Sequence, residues 1–426
     1  MKIEPAAALR GHIAVPGDKS ISHRAVLLGA IGDGETIVRG FGRSGDTEAT
    51  IEAVRALGVA VGEDDVDTLH VYGVGLRGLR EPGVPIDCGN SGTTLRLLAG
   101  ILAGQQGRFE LTGDESLRRR PVDRIAVPLV EMGATVESED GRPPLAIEGG
   151  ALRGIRYELP VASAQVKSCV LLAGLYAAGQ TTVVEPLPTR DHTELMLEAA
   201  GVRVTRKQRR IAVGPAEHLR LGEVDVPGDF SAAAPFIVAA TLLPGSELTI
   251  HDLGLNPRRT GLLDVLARMG ARITVFNRHK SAGEPVGDLE VHSAELTATA
   301  VTATEVPLLV DELPLFALAA AYARGESTVW GAEELRVKET DRIETVTNSL
   351  RALGVRVTPR DDGFWVRGVP TRPNGGRIAS HGDHRIAMLG AVAGLVSRNG
   401  VDVEDAQAVA VSFPGFFELL DSVTQR

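Results

Sequence analysis

The apolar positions of this chain switch between two spacings. Residues 13–15 and 224–226 read as short strands, and each is followed by a stretch with helical spacing, residues 20–31 and 231–243. On a longer scale one phrase is repeated six times: a glycine, a short β-branched strand, a polar turn, an apolar helix and usually a second glycine. The opening glycines are Gly34, Gly107, Gly179, Gly245, Gly325 and Gly400, separated by 73, 72, 66, 80 and 75 residues. Repetition at so long a period predicts stacked supersecondary units. The closing glycine stands in Leu57-Gly58-Val59, Met132-Gly133-Ala134, Ala200-Gly201-Val202, Met269-Gly270-Ala271 and Leu353-Gly354-Val355, where each helical pattern stops.

Each unit therefore reads strand, helix, strand, helix and one or two closing strands, an α/β pattern. The sixth stops after a helix at residues 416–420 with no closing strand of its own, while the chain opens on an unattached strand at residues 1–4. The N-terminal strand is expected to complete the last unit. One domain is then discontinuous, residues 1–17 plus 229–426, and the other spans residues 18–228. Two crossings near Gly17 and Gly228 would form a hinge. A chain of 426 residues exceeds what one core usually supports, which agrees with two domains.

A formal net charge of −10 argues against nucleic acid or an anionic membrane as the partner. No apolar run approaches the roughly 18 residues of a membrane span, and the N-terminus lacks a signal-peptide core, so a cytoplasmic enzyme is expected. Cys88 and Cys169 lack metal-ligand spacing and are expected to be reduced and non-catalytic, with no metal site.

Against the negative total, cations gather in turns that precede helices, where backbone N–H groups and the helix dipole already favour an anion. Lys19 stands at one helix mouth with Ser20 as the expected N-cap and Arg24 one turn on, although a solvated lysine beside a cap reads equally well. Gly89-Asn90-Ser91-Gly92-Thr93-Thr94 exposes consecutive N–H groups as an anion cradle would, or serves as an ordinary turn; it lacks the ending of a nucleotide P-loop. Arg118, Arg119 and Arg120 precede Pro121, placed for a first helical position, with Arg120 the best single candidate. Lys338 and Arg342 fall four apart on one expected helical face with Glu339 between them; an exposed ion-pair ladder is the plain alternative. Asp383, His384 and Arg385 stand together before a fully apolar helix. The matching turns elsewhere hold Ser163-Ala164-Gln165, Arg190 and Asp311. Related units should point equivalent turns at a common place, so the two domains are expected to face one cation-rich cleft. Such a cleft suits a reaction between phosphorylated carboxylates, with Asp311 or Glu339 moving a proton.

The motifs Gly-Asp-Lys-Ser-Ile-Ser-His-Arg, Gly-Asn-Ser-Gly-Thr-Thr-Leu-Arg, Arg-Pro-Val-Asp-Arg, Ser-Ala-Gln-Val-Lys-Ser, Arg-Asp-His-Thr-Glu, Val-Lys-Glu-Thr-Asp-Arg and Gly-Asp-His-Arg-Ile-Ala-Met occur in this order. Together they resemble the 3-phosphoshikimate 1-carboxyvinyltransferases, or EPSP synthases, across nearly the whole chain. The resemblance implies two inside-out α/β barrel domains, each of three βαβαββ units with pseudo-threefold symmetry, closing on substrate. It implies transfer of the enolpyruvyl group of phosphoenolpyruvate to the 5-hydroxyl of shikimate 3-phosphate, on the way to chorismate and the aromatic amino acids, without cofactor or metal and by a monomer. Lys19, Ser20, Arg24, Ser163, Ala164, Gln165, Arg190, Asp311 and Lys338 would meet shikimate 3-phosphate. Lys19, Gly92, Arg120, Gln165, Arg342 and Arg385 would meet phosphoenolpyruvate, with Asp383 and His384 in support. Asp311 would accept the hydroxyl proton and Glu339 protonate the methylene carbon, with Lys19 between the reactants. Val411 and Leu97 depart from members that carry lysine and proline there, while Gly92 is retained where glyphosate-tolerant members often carry alanine. Sensitivity to glyphosate is therefore open.

Three rivals make distinct demands. A transferase acting on UDP-N-acetylglucosamine usually carries a cysteine in the loop that here reads Leu111 to Arg120, and none is present. A non-catalytic repeat protein for phosphorylated ligands would need the cations but not Asp311 and Glu339. An RNA-end enzyme or binder predicts aromatic platforms, and aromatics make up only 4% of residues.

Overall fold

The computed structural model describes residues 1–426, and its strands form six sheets of repeated design. In one of them Ile86–Asp87 and Gly107–Thr112 pair in parallel, and Arg142–Gly149 and Thr135–Glu139 follow antiparallel. A parallel pair needs a crossover, which the helix Gly92–Leu102 supplies. The same device joins Arg156–Glu158 to Thr181–Val184 through Ala164–Gly174, and Gly376–Ala379 to Val401–Glu404 through His384–Val396.

Two sheets exchange strands relative to this scheme. Ala8–Ala14 pairs in parallel with Glu247–Gly254, and Glu223–Asp225 pairs in parallel with Asp33–Arg39. A strand that precedes a helix in sequence here does not share a sheet with the strand that follows, because the chain leaves one compact unit for the other in between. The units are Met1–Pro16 with Gly228–His279 and Pro285–Arg426, and Gly17–Pro227 with Lys280–Glu284. The boundaries expected after residues 17 and 228 thus come one residue earlier. The excursion at residues 280–284 was not expected: it is the tip of the hairpin Arg272–Ser281 and Glu284–His292, and its Ala282 packs on the core of the second unit.

At the N-terminus Lys2–Ile3 pairs antiparallel with Val401–Glu404 and supplies the third strand of the sixth sheet. As expected, the sixth sheet receives no closing strand after its last helix; the short strand that does follow that helix goes to another sheet. Thr424–Gln425 comes after Phe416–Val423 and pairs with the edge of Ala8–Ala14.

Each unit has its own apolar core. In the first, the helices Phe230–Leu242, Leu313–Tyr322 and His384–Val396 pack on one another, and every residue of the first two is buried. A helix apolar on all sides must be covered on all sides, so the helices lie inside and the sheets outside. In the second unit Gly92–Leu102 packs against both Lys19–Ala30 and Ala164–Gly174. Gly100 lets the latter pair approach closely, since a Cβ there would strike the backbone of Cys169. The closing glycines behave as the pattern requires: Gly133 and Gly270 cap their helices at φ 108° and 98°, which an L side chain rarely adopts. No helix is long and apolar enough to cross a membrane.

Candidate active site

In the second unit the inner helices bring their polar N-termini together. Arg96 Nη1 donates to Gln165 Oε1 at 2.7 Å, and Gln165 Nε2 donates to Thr93 Oγ1 at 2.9 Å, so the turns at Gly92 and Gln165 are direct neighbours. Each start is capped in sequence: Asp18 accepts from the N–H of Ile21, Ser91 from that of Thr94 and Ser163 from that of Val166. Ser20 is therefore not the cap expected of it. Asp18, being three residues before Ile21, takes that role, and Ser20 lies inside the first turn of Lys19–Ala30.

Lys19 is half-buried, and its Nζ pairs with Asp46 Oδ2 at 2.7 Å. Arg24 is buried, and all three of its nitrogens are engaged: Nε with Thr193 Oγ1 at 2.7 Å, Nη1 with the Ser20 carbonyl at 2.8 Å and Nη2 with Ser168 Oγ at 3.0 Å. Burial brings its pKa down to about 10, opposed mainly by Glu194. It stays charged at neutral pH and ties three helix starts to one point. Arg120 Nη2 donates to Asn90 Oδ1 at 2.8 Å, and Asn90 is held in turn by Asp114. Pro121 does not open a helix as expected: Arg120 follows the short helix Glu115–Arg118, and the next helix is Asp123–Met132. Ser163, Ala164, Gln165 and Arg190 are all half-buried at helix starts or the turn before one.

Behind these groups His23 Nδ1 meets Thr50 Oγ1 at 2.6 Å, which meets Thr94 Oγ1 at 2.6 Å. Complete burial drives the His23 pKa down to about 3, so the ring is neutral and serves as a hydrogen-bonding strut. Cys88 and Cys169 are buried and free, and burial pushes each thiol up to about 12. Neither can supply a thiolate at neutral pH.

Gly92 belongs to this cluster by its lack of a side chain. A Cβ there would come within 2.7 Å of Arg96 Nη1 and 3.4 Å of Arg120 Nη1. Both are ends of flexible side chains, so the fold can absorb the methyl while the guanidiniums move. Gly92→Ala is expected to leave the melting temperature within about 2 °C and to raise the KM for the anionic substrate that the sequence reading assigns to this turn by about tenfold or more, in line with a small misplacement of binding groups. Unchanged steady-state constants would remove Gly92 from the site.

In the first unit the predicted residues form a second cluster around Arg342. Its Nε and Nη2 contact the two oxygens of Asp383 at 2.8 and 3.2 Å, Nη2 meets Glu339 Oε2 at 2.6 Å, and Nη1 lies 3.6 Å from Asp311 Oδ1. Burial alone would lower the Arg342 pKa, but Glu339, Asp383 and Asp311 outweigh it and hold it above its ordinary value. The converse holds for Asp383, which Arg342 keeps below the usual carboxylate range despite burial. Arg342 is 2% exposed, so its guanidinium faces the acids, and Nη1 has the loosest of these contacts. The expected shared helical face for Lys338 and Arg342 is absent. Asp341 caps the helix Arg342–Ala352 by accepting from Ile343 and Glu344, which leaves Lys338 extended outside it, 3.7 Å from Glu334. Asp383 caps His384–Val396 and places His384 and Arg385 in its first turn. Val411, where lysine was the alternative, is 46% exposed.

Sequence reasoning missed the partners. Asp46, Arg96 and Asn90 hold Lys19, Gln165 and Arg120, and a buried Lys167 pairs with Glu185 and Glu194 at 2.8 and 2.7 Å. Nothing in local spacing marks these pairs, since their members are between 18 and 69 residues apart.

Six sheets around helix cores, four of them built on a strand–helix–strand crossover, with anion-ready helix starts in both units, define a two-domain inside-out α/β barrel of the enolpyruvyl transferase kind. The family model of EPSP synthase (3-phosphoshikimate 1-carboxyvinyltransferase) matches residues 3–420, and the chain belongs to that family. The 3-phosphoshikimate 1-carboxyvinyltransferase of Alkalilimnicola ehrlichii is 52% identical over 98% of this chain and 94% of its own. That of Salinibacter ruber is 50% identical over 99% of each. Among solved structures, EPSP synthase from Acinetobacter baumannii superposes with a TM-score of 0.90 at 42% identity, covering 99% of this chain and 97% of that one. The enolpyruvyl transferase NikO from Streptomyces tendae, at 20% identity and a TM-score of 0.79, shares the fold.

Proposed function

We propose that the chain transfers the enolpyruvyl group of phosphoenolpyruvate to the 5-hydroxyl of shikimate 3-phosphate and releases phosphate, with the residues above in named roles. Family membership over nearly the whole chain supports the reaction, and the Asp311–Arg342–Glu339 cluster supports the assignment of acid and base. Lys19, Ser20, Arg24, Ser163, Ala164, Gln165, Arg190, Asp311 and Lys338 serve shikimate 3-phosphate. Lys19, Gly92, Arg120, Gln165, Arg342 and Arg385 serve phosphoenolpyruvate. Arg24 acts by fixing the carbonyl of Ser20 as much as by its charge, since its nitrogens are all engaged.

The chemistry needs an acid and a base at once. Protonating the methylene carbon, C3, makes C2 electrophilic; the 5-hydroxyl of shikimate 3-phosphate adds there as its proton leaves to Asp311, giving a tetrahedral intermediate. Reversal of the proton transfers expels phosphate, C3 giving back a proton as the C2–O bond to phosphate breaks. Guanidinium and ammonium groups stabilise the charge on the leaving phosphate. Arg342, in contact with both Glu339 and Asp311, couples the two proton-moving groups, so a change at one is felt at the other. The enzyme works as a cytoplasmic monomer in this reading. The test is a coupled assay of phosphate release that depends on both substrates together; folded protein that releases none would defeat the assignment.

A further inference from the structure

We infer that Glu312 is a positioning residue for the phosphoenolpyruvate arginine, Arg385, acting through a buried cluster with Arg259 and Ser231; this rests on the reading of Arg385 as a ligand. Glu312 is 0% exposed and cannot itself reach a substrate. Its Oε1 accepts from Ser231 Oγ, and both carboxylate oxygens lie 3.1 Å from Arg259 Nη1. Arg385 Nη1 lies 3.6 Å from the same Oε1, and Arg385 Nε is buried with no hydrogen-bond partner. Arg385 is thus oriented from below by one carboxylate while its side chain is 14% exposed.

The cluster has a reason to hold that position. Arg259 and Arg385 share Glu312, and Arg259 is 5% exposed and further braced by Asp229 at 3.4 Å from Nη2. Without the carboxylate two guanidiniums would repel across a neutral gap, and of the two Arg385 has the room to swing away. Glu312 also follows Asp311 in one short helical turn, Val310–Glu312, so consecutive acids address different arginines: Asp311 faces Arg342 and Glu312 faces Arg385. One turn therefore sets both the proposed base and a proposed anion ligand.

The test uses the full chain and steady-state kinetics in both substrates. Glu312→Gln keeps the shape and removes the charge; we expect the KM for phosphoenolpyruvate to rise about tenfold, with kcat changed by less than about threefold and the KM for shikimate 3-phosphate by less than about twofold. Ser231→Ala, which removes only the supporting hydroxyl, should raise the same KM by about threefold and covers the case in which Glu312→Gln does not fold. Arg385→Ala separates the two ideas. If it leaves the KM for phosphoenolpyruvate unchanged, the reading of Arg385 fails and this inference with it. If it raises that KM while Glu312→Gln and Ser231→Ala do not, the positioning role alone is overturned. A parallel loss in all constants with a lowered melting temperature would likewise overturn it, since a merely structural part would do that.

Discussion

Asp311→Asn and Glu339→Gln should each lower kcat by about 10²–10⁴ with both KM values within a few-fold, the span expected when a positioned proton acceptor or donor is lost. The variants are close to isosteric, and the cluster they belong to tolerates the loss of one charge. Arg342 keeps Asp383 as a bidentate partner at 2.8 and 3.2 Å in either case, so its buried guanidinium is not left uncompensated. The roles are separable by isotope. Exchange of solvent deuterium into the methylene of phosphoenolpyruvate requires the group that protonates carbon, so Glu339→Gln should suppress it more strongly than Asp311→Asn. Either variant keeping kcat within about threefold of the parent would strip that residue of its role.

The geometry also says why both acids depend on one arginine. Glu339 reaches Arg342 at 2.6 Å from a 33% exposed side chain, while Asp311 stands 3.6 Å away and is 16% exposed. Both acids touch one guanidinium, and in the proposed cycle each changes protonation beside it. Substitution at one acid will therefore alter the pH profile attributed to the other, and a kinetic pKa belongs to the set.

What the sequence made legible and what it hid follow from how information is carried along a chain. The six-fold repeat was readable because Gly133 and Gly270 are required by local backbone geometry, which neighbours in sequence dictate. Completion of the last sheet by the N-terminal strand followed from counting strands per unit, and Lys2–Ile3 does pair with Val401–Glu404. The exchange of Ala8–Ala14 and Glu223–Asp225 between sheets was not readable, since sheet partners are chosen by packing across 237 and 186 residues of sequence. Candidate cations were visible as residue types before helices; their orientation was not. Lys338 and Arg342 read as two cations on one helical face, but the Asp341 cap starts the helix after Lys338 and turns Arg342 onto three acids. Lys167, two residues beyond the candidate turn Ser163-Ala164-Gln165, carried no signal of its own, although in the fold it is the charge on which two buried acids depend.

Lys167→Met should cost about 3–5 kcal/mol, the loss expected when one partner of a buried ion cluster is removed, and lower the melting temperature by on the order of 10 °C. Lys167 is 0% exposed, and the side chains of Glu185 and Glu194 are 3% and 1% exposed, so neither carboxylate can turn to water. Burial already pushes Glu194 above the ordinary carboxylate range against the pull of Lys167. Without the ammonium that rise must grow, and Glu194 then gains a proton in the folded state at a pH where the unfolded chain has none. Because its folded pKa is the higher one, acidification favours the fold: the deficit should narrow as pH falls from about 8 to about 5 and widen again on return. The damage should also reach the site. Glu185 Oε1 accepts from the N–H of Thr189 at 3.2 Å and from its hydroxyl, which fixes the turn that presents Arg190. A raised KM for shikimate 3-phosphate should accompany the lower melting temperature, and Lys167→Met/Glu194→Gln should recover part of both by removing one stranded charge. A melting temperature for Lys167→Met within about 2 °C of the parent would show that the cluster is not the brace its burial implies.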